Sequence, residues 1–520
     1  MANRVGSVVF RVFQTFAKVL FGIIYRKRGQ AVARIDDPII MHSAVDLARK
    51  IRSGELKSVD VVAAFVRRIK HANPSLNFMV DERFEECLRE ARIIDERIAS
   101  GEYSKEEMVE KWPFLGVPYT IKASIAKKGF TLSGGLVLRE NFIATEDAEV
   151  VTRMQEAGAI LLGSTNVSEL CLWWESVNPV HGRTRNSYDS NRGVGGSSGG
   201  EGCIQAMGGS AMGIGSDIGG SIRIPAHFNG IFGHKPSNGI GPNTGHFPYP
   251  RHPETEPFLV LGPMSRFATD LLPMFKIMVR DRVDELRLNE KVDVSKLKYF
   301  YMEDDGGSVG VSPVDPEIRS ALRRVVDYLK ERYGIEAKKL DIKGLGESMM
   351  LWTAHMTAPG GPKISDEISG FKGKRKDLPW EIVKTICGAR QHTLPVLIVG
   401  LLEKMSMKYG DKRHRHFMEV SANIRKEIEE HLGSDGVFIY PTLPIAAPYH
   451  GEPMFKPFDI SYTALFNWLG YPATHCTLGL NSEGLPIGVQ VAATEMQDRL
   501  TLAVAVELEK AFGGWVPPSV

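Results

Sequence analysis

Several absences narrow the function of this 520-residue chain before any motif is considered. Only five cysteines are present, Cys87, Cys171, Cys203, Cys387 and Cys476. They are widely spaced and odd in number, with no C-x-x-C pair, so neither a disulfide framework nor a zinc site is indicated. Free thiols in a reducing compartment are the simpler reading. A dominant charge is missing too. The formal net charge is +2, and no long basic tract with interleaved aromatics appears, which argues against a nucleic-acid partner. There is no G-x-x-x-x-G-K-[ST] string to cradle a nucleotide. Internal repeats and low-complexity tracts are absent. Beyond the first 25 residues, no segment is long and apolar enough to span a bilayer.

What is present begins with an amphipathic N-terminus. On a helix, Arg4, Ser7, Arg11, Gln14, Lys18 and Tyr25 fall in one narrow strip. Val9, Val12, Phe13, Phe16, Leu20 and Ile23 fill the broad opposite face. Basic residues opposite Phe, Leu and Val describe a helix lying in a membrane interface. Arg-Lys-Arg at positions 26–28 favours anionic headgroups. A spanning helix is the competitor, but Arg11 and Lys18 would each cost roughly 2.5–3.5 kcal/mol near the bilayer centre. A cleaved signal peptide fits less well, because the uninterrupted apolar run is short. Residues 1–35 are therefore set apart as anchor and basic linker, and 36–520 as one catalytic domain.

The domain alternates helical and strand patterns. Residues 43–72 are helical in pattern, with Ser58 as an N-cap and Asn73-Pro74 as the stop. A charged helix is expected over 81–102, a strand over 112–121 leading to Lys122, a helix over 147–157 and a buried strand over 158–163. Helix followed by short apolar strand is an α/β signature. Residues 285–435 are helix-rich and charged, with helices expected at 314–333, 366–389 and 414–432. The strongly apolar stretch 394–402 within them reads equally as core or as a lip touching lipid. Strand character returns at 437–440 and 485–492, and a last helix is expected at 498–512.

The chemistry concentrates at Gly193–Arg223. Two serine-bearing glycine turns sit close together, Gly195-Gly-Ser-Ser-Gly199 and Asp217-Ile-Gly-Gly-Ser-Ile-Arg223. Glycine bares backbone N–H groups for close approach, and such groups can hold a developing oxyanion beside a serine nucleophile. The first turn also fits the G-x-S-x-G string of histidine-dependent hydrolases, but no apolar strand precedes it. His227, His234 and His475 could each be imagined as a base. None has an acid partner by local spacing, so core or surface positions suit them better. Asn166 opens a glycosylation sequon inside a core-like segment, where modification is not expected. Upstream lies Lys122, behind the apolar lead-in Val-Pro-Tyr-Thr-Ile. A lysine, with a reference pKa of about 10.4, serves as a base only when neutral, and burial favours that form.

Lys122, the Ser197-Ser198 turn and the Asp217–Arg223 turn together resemble the amidase signature family. Pro113-Phe-Leu-Gly-Val-Pro118, Gly163-Ser-Thr-Asn166, Gly230-Ile-Phe-Gly-His-Lys-Pro236 and Gly484-Leu-Pro-Ile-Gly-Val-Gln490 extend the likeness from about residue 40 to the C-terminus. The resemblance implies an α/β fold with a central mixed β-sheet flanked by helices. It implies Ser221 as nucleophile, Ser197 as bridging serine on a cis peptide, and Lys122 as base. Backbone N–H groups of Ile218, Gly219, Gly220 and Ser221 match the oxyanion hole. Ser198, Asp217 and Arg223 match supporting positions, and Cys171 falls where relatives line the substrate site.

The activity so implied is hydrolysis of fatty-acid amides to a free acid and an amine, at an intracellular membrane, with no metal or organic cofactor. The expected partners are that amide and a lipid bilayer, and the resemblance adds a homodimer. Two alternatives stand beside it. One is an amidase for small polar amides, including a glutamine-dependent transamidation subunit, which the membrane helix disfavours. The other is a silent lipid-binding protein, which has no chemical need for all of Lys122, Ser197 and Ser221.

Overall fold

The computed structural model describes residues 10, 14–15, 17, 19–250, 252–308, 310–358, 363–369, 376–389 and 391–518, with 404 and 405 by backbone only. Its centre is an eleven-stranded mixed sheet flanked by helices. The strands in chain order are β1 (Met79–Glu82), β2 (Pro118–Lys122), β3 (Ile160–Thr165), β4 (Val177–Asn178), β5 (Gly182–Arg183), β6 (Met212–Asp217), β7 (Phe232–Lys235), β8 (Val260–Ser265), β9 (Lys298–Tyr301), β10 (Lys338–Lys339), β11 (Gly436–Pro441), β12 (Ala473–Leu480) and β13 (Pro486–Ala493). Across the sheet the order is β1-β3-β2-β6-β8-β7-β12-β13-β11-β9-β10, while β4 and β5 form a separate hairpin.

β2 runs parallel to both β3 and β6. Such strands are buried on both faces and read as continuous apolar runs, as Ile160 to Leu162 do. The helix Glu149–Glu156 leads directly into β3. Ile121 of β2 lies opposite Ile214 of β6. The carboxyl ends of these two parallel strands therefore coincide, and they carry Lys122 and Ser216-Asp217 respectively. One apolar cluster packs β1–β3 against the helices Ala44–Arg52 and Ser58–Leu76. A second gathers β9 and β11–β13 around Pro316–Tyr333 and Asp498–Phe512.

Several boundaries differ from expectation. Residues 43–72 hold two helices, and the second begins at Ser58 rather than after it. The buried Ser58 hydroxyl donates to Gly116 O at 2.9 Å, and the carboxylate of Asp95 caps the helix by accepting from Ser58 N at 2.7 Å and Val59 N at 2.9 Å. The helix passes through Pro74 and ends at Asn77 in the left-handed region, φ 55°. Asn73 does not stop it. Its Oδ1 instead accepts from Phe78 N and Met79 N beyond the helix end. The first half of the 112–121 strand is replaced by turns, closed by Leu115 N to Trp112 O and Val117 N to Phe114 O. Gly116 sits there at φ +74°, with Ser58 Oγ 2.5 Å from where a Cβ would stand.

The charged helix begins at Phe84, because 79–82 pair with β3 as an edge strand. The helix-rich region also contributes β9 and β10 to the sheet. Its 366–389 segment holds two short helices, Ile364–Ile368 and Leu378–Ile386, with 370–375 outside the described residues. The apolar stretch lies on the helix Leu394–Met405 and is divided in role. Val396 and Leu397 are core, whereas Leu402 is 53% exposed.

At the N-terminus, residues 19–24 are helical. Arg4, Ser7, Val9, Arg11, Val12, Phe13, Phe16 and Lys18 lie outside the described residues. The described members of the polar strip face the domain: Gln14 Nε2 donates to Ser312 Oγ at 3.3 Å, and Tyr25 stacks on Tyr449 with centroids 5.1 Å apart. Val19, Leu20, Ile23 and Ile24 point outward, from 38% to 59% exposed. The linker that follows is pinned rather than loose. Gly29 N donates to Asp189 Oδ1 and Val32 N to Ser187 O, each at 2.9 Å. No helix among the described residues is long and apolar enough to cross a membrane.

Candidate active site

Lys122 ends β2 with no exposed surface. Its Nζ is 2.6 Å from Ser197 Oγ and 2.8 Å from Ser216 Oγ. Burial drives the lysine below its ordinary pKa, while Cys171, Asp217 and Glu201 act against that shift. A buried ammonium without a directly bonded carboxylate is poorly stabilised. The neutral amine that a base requires is thus favoured by position.

Ser197 reaches the lysine from the loop before the helix Gly199–Ala206, and its peptide bond to Gly196 is cis. The loop is packed so closely that a Cβ on Gly196 would stand 2.4 Å from Trp173 O. Ser198 ties this loop to the other serine turn. Its N–H donates to Ser221 O at 3.2 Å, and its hydroxyl donates to Ser216 O and accepts from Ser216 N, each at 3.3 Å.

Ser221 stands between β6 and the helix Arg223–Asn229, 9% exposed. Its hydroxyl makes no hydrogen bond with the described residues, so it is free to meet a ligand. The turn around it is built on Asp217. That carboxylate accepts from Gly220 N at 2.7 Å, Ile222 N at 3.1 Å, Arg223 Nε and Nη2 at 3.1 Å each, and Asn467 Nδ2 at 2.8 Å. Burial pushes Asp217 up, but Arg223 beside it, with Asn467 and Lys235, outweighs this and holds it down to about 2. Arg223 is itself fully buried and also donates to Gln490 Oε1 and Asn467 Oδ1.

Two carbonyls of the turn are turned away from the serine. Ile218 O accepts from Trp352 Nε1 at 2.8 Å, and Gly219 O accepts from Thr463 Oγ1 at 2.7 Å. Peptide planes fixed in this way orient the neighbouring N–H groups. One member of the expected oxyanion set needs correction: the Gly220 N–H is already given to Asp217. Ile218, Gly219 and Ser221 keep N–H groups with no partner among the described residues.

Cys171 comes to the same place, half-buried at φ 57°, and is the first of the groups that oppose the lowering of Lys122. Four neighbours were not singled out from the sequence: Ser124, Glu201, Ser216 and His246. Glu201 accepts from Thr120 Oγ1 at 2.8 Å and Thr165 Oγ1 at 2.9 Å, and burial raises it to about 7. Ser216 could have been suspected from its place beside Asp217. Nothing in the spacing marks His246, 124 positions from the lysine.

The histidines considered earlier lie elsewhere. His227 bonds Ile445 O and His475 bonds Thr442 Oγ1. His234 has an acid partner distant in sequence, Asp498 at 3.2 Å, yet it serves no serine. The nearby Ser237 hydroxyl donates to Asp498 itself at 2.6 Å, and the other ring nitrogen of His234 faces Thr474. Asn166 is buried and donates to Thr184 Oγ1 at 3.1 Å, which leaves no room for a glycan.

In comparison with known proteins, the amidase family model matches residues 60–502, a range that spans the residues that build this site. The chain belongs to the amidase signature family. Among its relatives, fatty-acid amide hydrolase 2 of Homo sapiens is 45% identical over 488 residues, covering 93% of this chain and 91% of that one. Fatty-acid amide hydrolase 2-A of Danio rerio is 44% identical over 516 residues, covering 98% and 96%. Among solved structures, a fatty acid amide hydrolase superposes with a TM-score of 0.72 at 22% identity, covering 93% of this chain and 87% of that one, which establishes a shared fold. As a member of this family the chain is an amidase, a hydrolase of the amide C–N bond.

Proposed function

We propose that this amidase is a membrane-associated serine hydrolase of fatty-acid amides, with Ser221 as nucleophile, Ser197 as proton bridge and Lys122 as base. The observation that carries the reading is a buried lysine with a lowered pKa, its amine 2.6 Å from a serine hydroxyl on the loop bound to Ser221. A serine hydroxyl attacks an amide only when a base removes its proton. In the proposed step Ser221 Oγ bonds to the substrate carbonyl carbon. Its proton passes to Ser197, and the Ser197 proton to neutral Lys122. The unpartnered N–H groups of Ile218, Gly219 and Ser221 receive the oxyanion.

The proton then returns by the same route to the departing nitrogen, because an amide nitrogen leaves badly without it. The C–N bond breaks, and an acyl ester remains on Ser221. Water attacks that ester under the same base and releases the fatty acid. Esters of the same acids should react as well, since they form the same acyl-enzyme.

The relatives support the substrate class, since two of them are named for fatty-acid amides and are at least 44% identical. The outward row Val19, Leu20, Ile23 and Ile24 supports a docked bilayer, with Arg26, Lys27 and Arg28 beside it for anionic headgroups. The test is turnover of an amide series from acetyl to long-chain acyl by detergent-solubilised protein. Rising kcat/KM with chain length is expected. A preference for acetyl or for a polar amide such as glutamine would overturn the fatty-acid reading and leave the amidase.

A further inference from the structure

His246 lies buried on the loop between β7 and β8 and is linked to the amine of Lys122 through Ser216. Its Nδ1 is 2.8 Å from Pro248 O. A carbonyl oxygen only accepts, so Nδ1 carries the ring hydrogen and donates it there. Burial first, and then the charge of Lys122, push His246 down to about 3, against the opposing bond to Pro248. The ring is therefore neutral near neutral pH, and Nε2 is a bare acceptor. Two hydroxyls face it, Ser216 Oγ at 2.8 Å and Ser124 Oγ at 2.9 Å.

The consequence for the lysine comes from counting hydrogens. A neutral amine has two N–H groups and one lone pair, and the Ser216 hydroxyl has one hydrogen to give. Ser216 can give it to the lone pair of Lys122 or to His246 Nε2. In the first case the base is occupied by the wrong hydroxyl and cannot take the proton of Ser197. In the second, Ser216 turns its oxygen to Lys122 and receives an N–H. The lone pair is then left for Ser197, 2.6 Å away.

We infer that His246, acting through Ser216, is a positioning residue that keeps the lone pair of Lys122 aimed at Ser197. It does not touch the reacting atoms. Nε2 has one lone pair and takes one donor. In this arrangement that donor is Ser216, and Ser124, 2.9 Å from the same nitrogen, is the competitor for it. The inference rests on Lys122 being the base. The other groups that bear on Lys122 are Cys171, Asp217 and Glu201. None of them bonds Ser216 Oγ or His246 among the described residues, so they offer its hydrogen no alternative acceptor.

The test compares His246→Leu and His246→Phe, which fill the site without an acceptor, with His246→Gln, whose carbonyl oxygen can replace Nε2. Each is also made with Ser216→Ala. Amide turnover is followed against pH, with melting temperature as the check on folding. The acceptor-free variants should lose at least about tenfold in kcat, part of the roughly 10²–10⁴-fold that a positioned base supplies, while KM stays within about twofold. Their acid limb should move to lower pH, because Ser216 now donates to the neutral amine and favours it. His246→Gln should stay close to wild type. Adding Ser216→Ala to His246→Leu removes the competing hydroxyl and should recover activity.

Full activity in His246→Leu, or a double variant no better than His246→Leu alone, would overturn the inference. So would equal losses in the Gln and Leu variants at unchanged melting temperature. Lys122→Met separates the two layers. If it is active, the base itself is misassigned. If it is inactive while every His246 variant is active, only the positioning role fails.

Discussion

Asp217→Asn is the perturbation whose cost the structure defines best. The side chain keeps its size but loses its charge, and one oxygen becomes an NH2 group. Asp217 accepts five hydrogen bonds, two from the N–H groups of Gly220 and Ile222, which flank the Ser221 turn, and two from Arg223. The new NH2 group must face a donor, and Arg223 is left charged in a fully buried site. Removing one partner of a buried pair costs about 3–5 kcal/mol. In a chain of 520 residues, the unfolding entropy makes 1 kcal/mol worth about 1 °C. A melting temperature about 3–5 °C lower is expected by calorimetry.

Asp217→Asn should also change the acid dependence. Asp217 has a lower pKa folded than unfolded, so its stabilisation is complete above about pH 4 and is lost as pH falls through about 2. The variant lacks that component. Labelling of Ser221 by a fluorophosphonate should slow in parallel, because the turn loses its anchor. Arg223→Gln in the same chain removes the orphaned charge, so the double variant should be more stable than the summed single losses. A melting temperature within 1 °C of wild type together with unchanged labelling would refute the argument that Asp217 holds the turn.

Two other predictions address the base and the membrane. In the proposed mechanism Lys122 works neutral, and burial lowers its pKa, so amide turnover should rise with pH and level off below the ordinary lysine range. Lys122→Met should lose that limb and roughly 10²–10⁴-fold in kcat; a variant with the wild-type profile would remove Lys122 from the mechanism. Serine at Val19, Leu20, Ile23 and Ile24 forfeits about 1 kcal/mol for each half-exposed side chain, or roughly 10³-fold in vesicle partition. Turnover of a soluble short-chain ester should be unaffected. Unchanged vesicle flotation would place membrane contact on another surface.

The fold class was legible because helix and apolar strand alternate along the chain, as in 149–165, and because the glycine turns mark where the backbone must pass closely. Lys122, Ser197 and Ser221 were singled out by their motifs, and the structure brings the lysine and both serine turns to one corner of the sheet. Boundaries were less so. Ser58 has the composition of an N-cap, yet the cap is Asp95, 37 positions away, and local pattern has no access to a partner supplied by tertiary packing. The proline after Asn73 reads as a stop, but the helix carries it and ends only where Asn77 turns left-handed.

The surroundings of the lysine were hidden for the same reason. Ser124 follows it by two residues, but Ser216 and His246 arrive from β6 and from a loop whose sequence, Thr-Gly-His-Phe-Pro, resembles any turn. The oxyanion set was overcounted because a sequence motif names residues but not which N–H groups are already used. Asp217 consumes that of Gly220.

The central claim is that Ser221 forms an acyl-enzyme with a fatty-acid amide. The most direct measurement is hydrolysis of a long-chain fatty-acid amide by purified wild type and Ser221→Ala, with intact-mass detection of the protein under turnover. The account predicts release of fatty acid and amine by wild type, with an acyl adduct on Ser221, and loss of both in the variant at an unchanged melting temperature. An adduct or turnover that survives in Ser221→Ala, or a folded wild type that never acquires the acyl group, would contradict it.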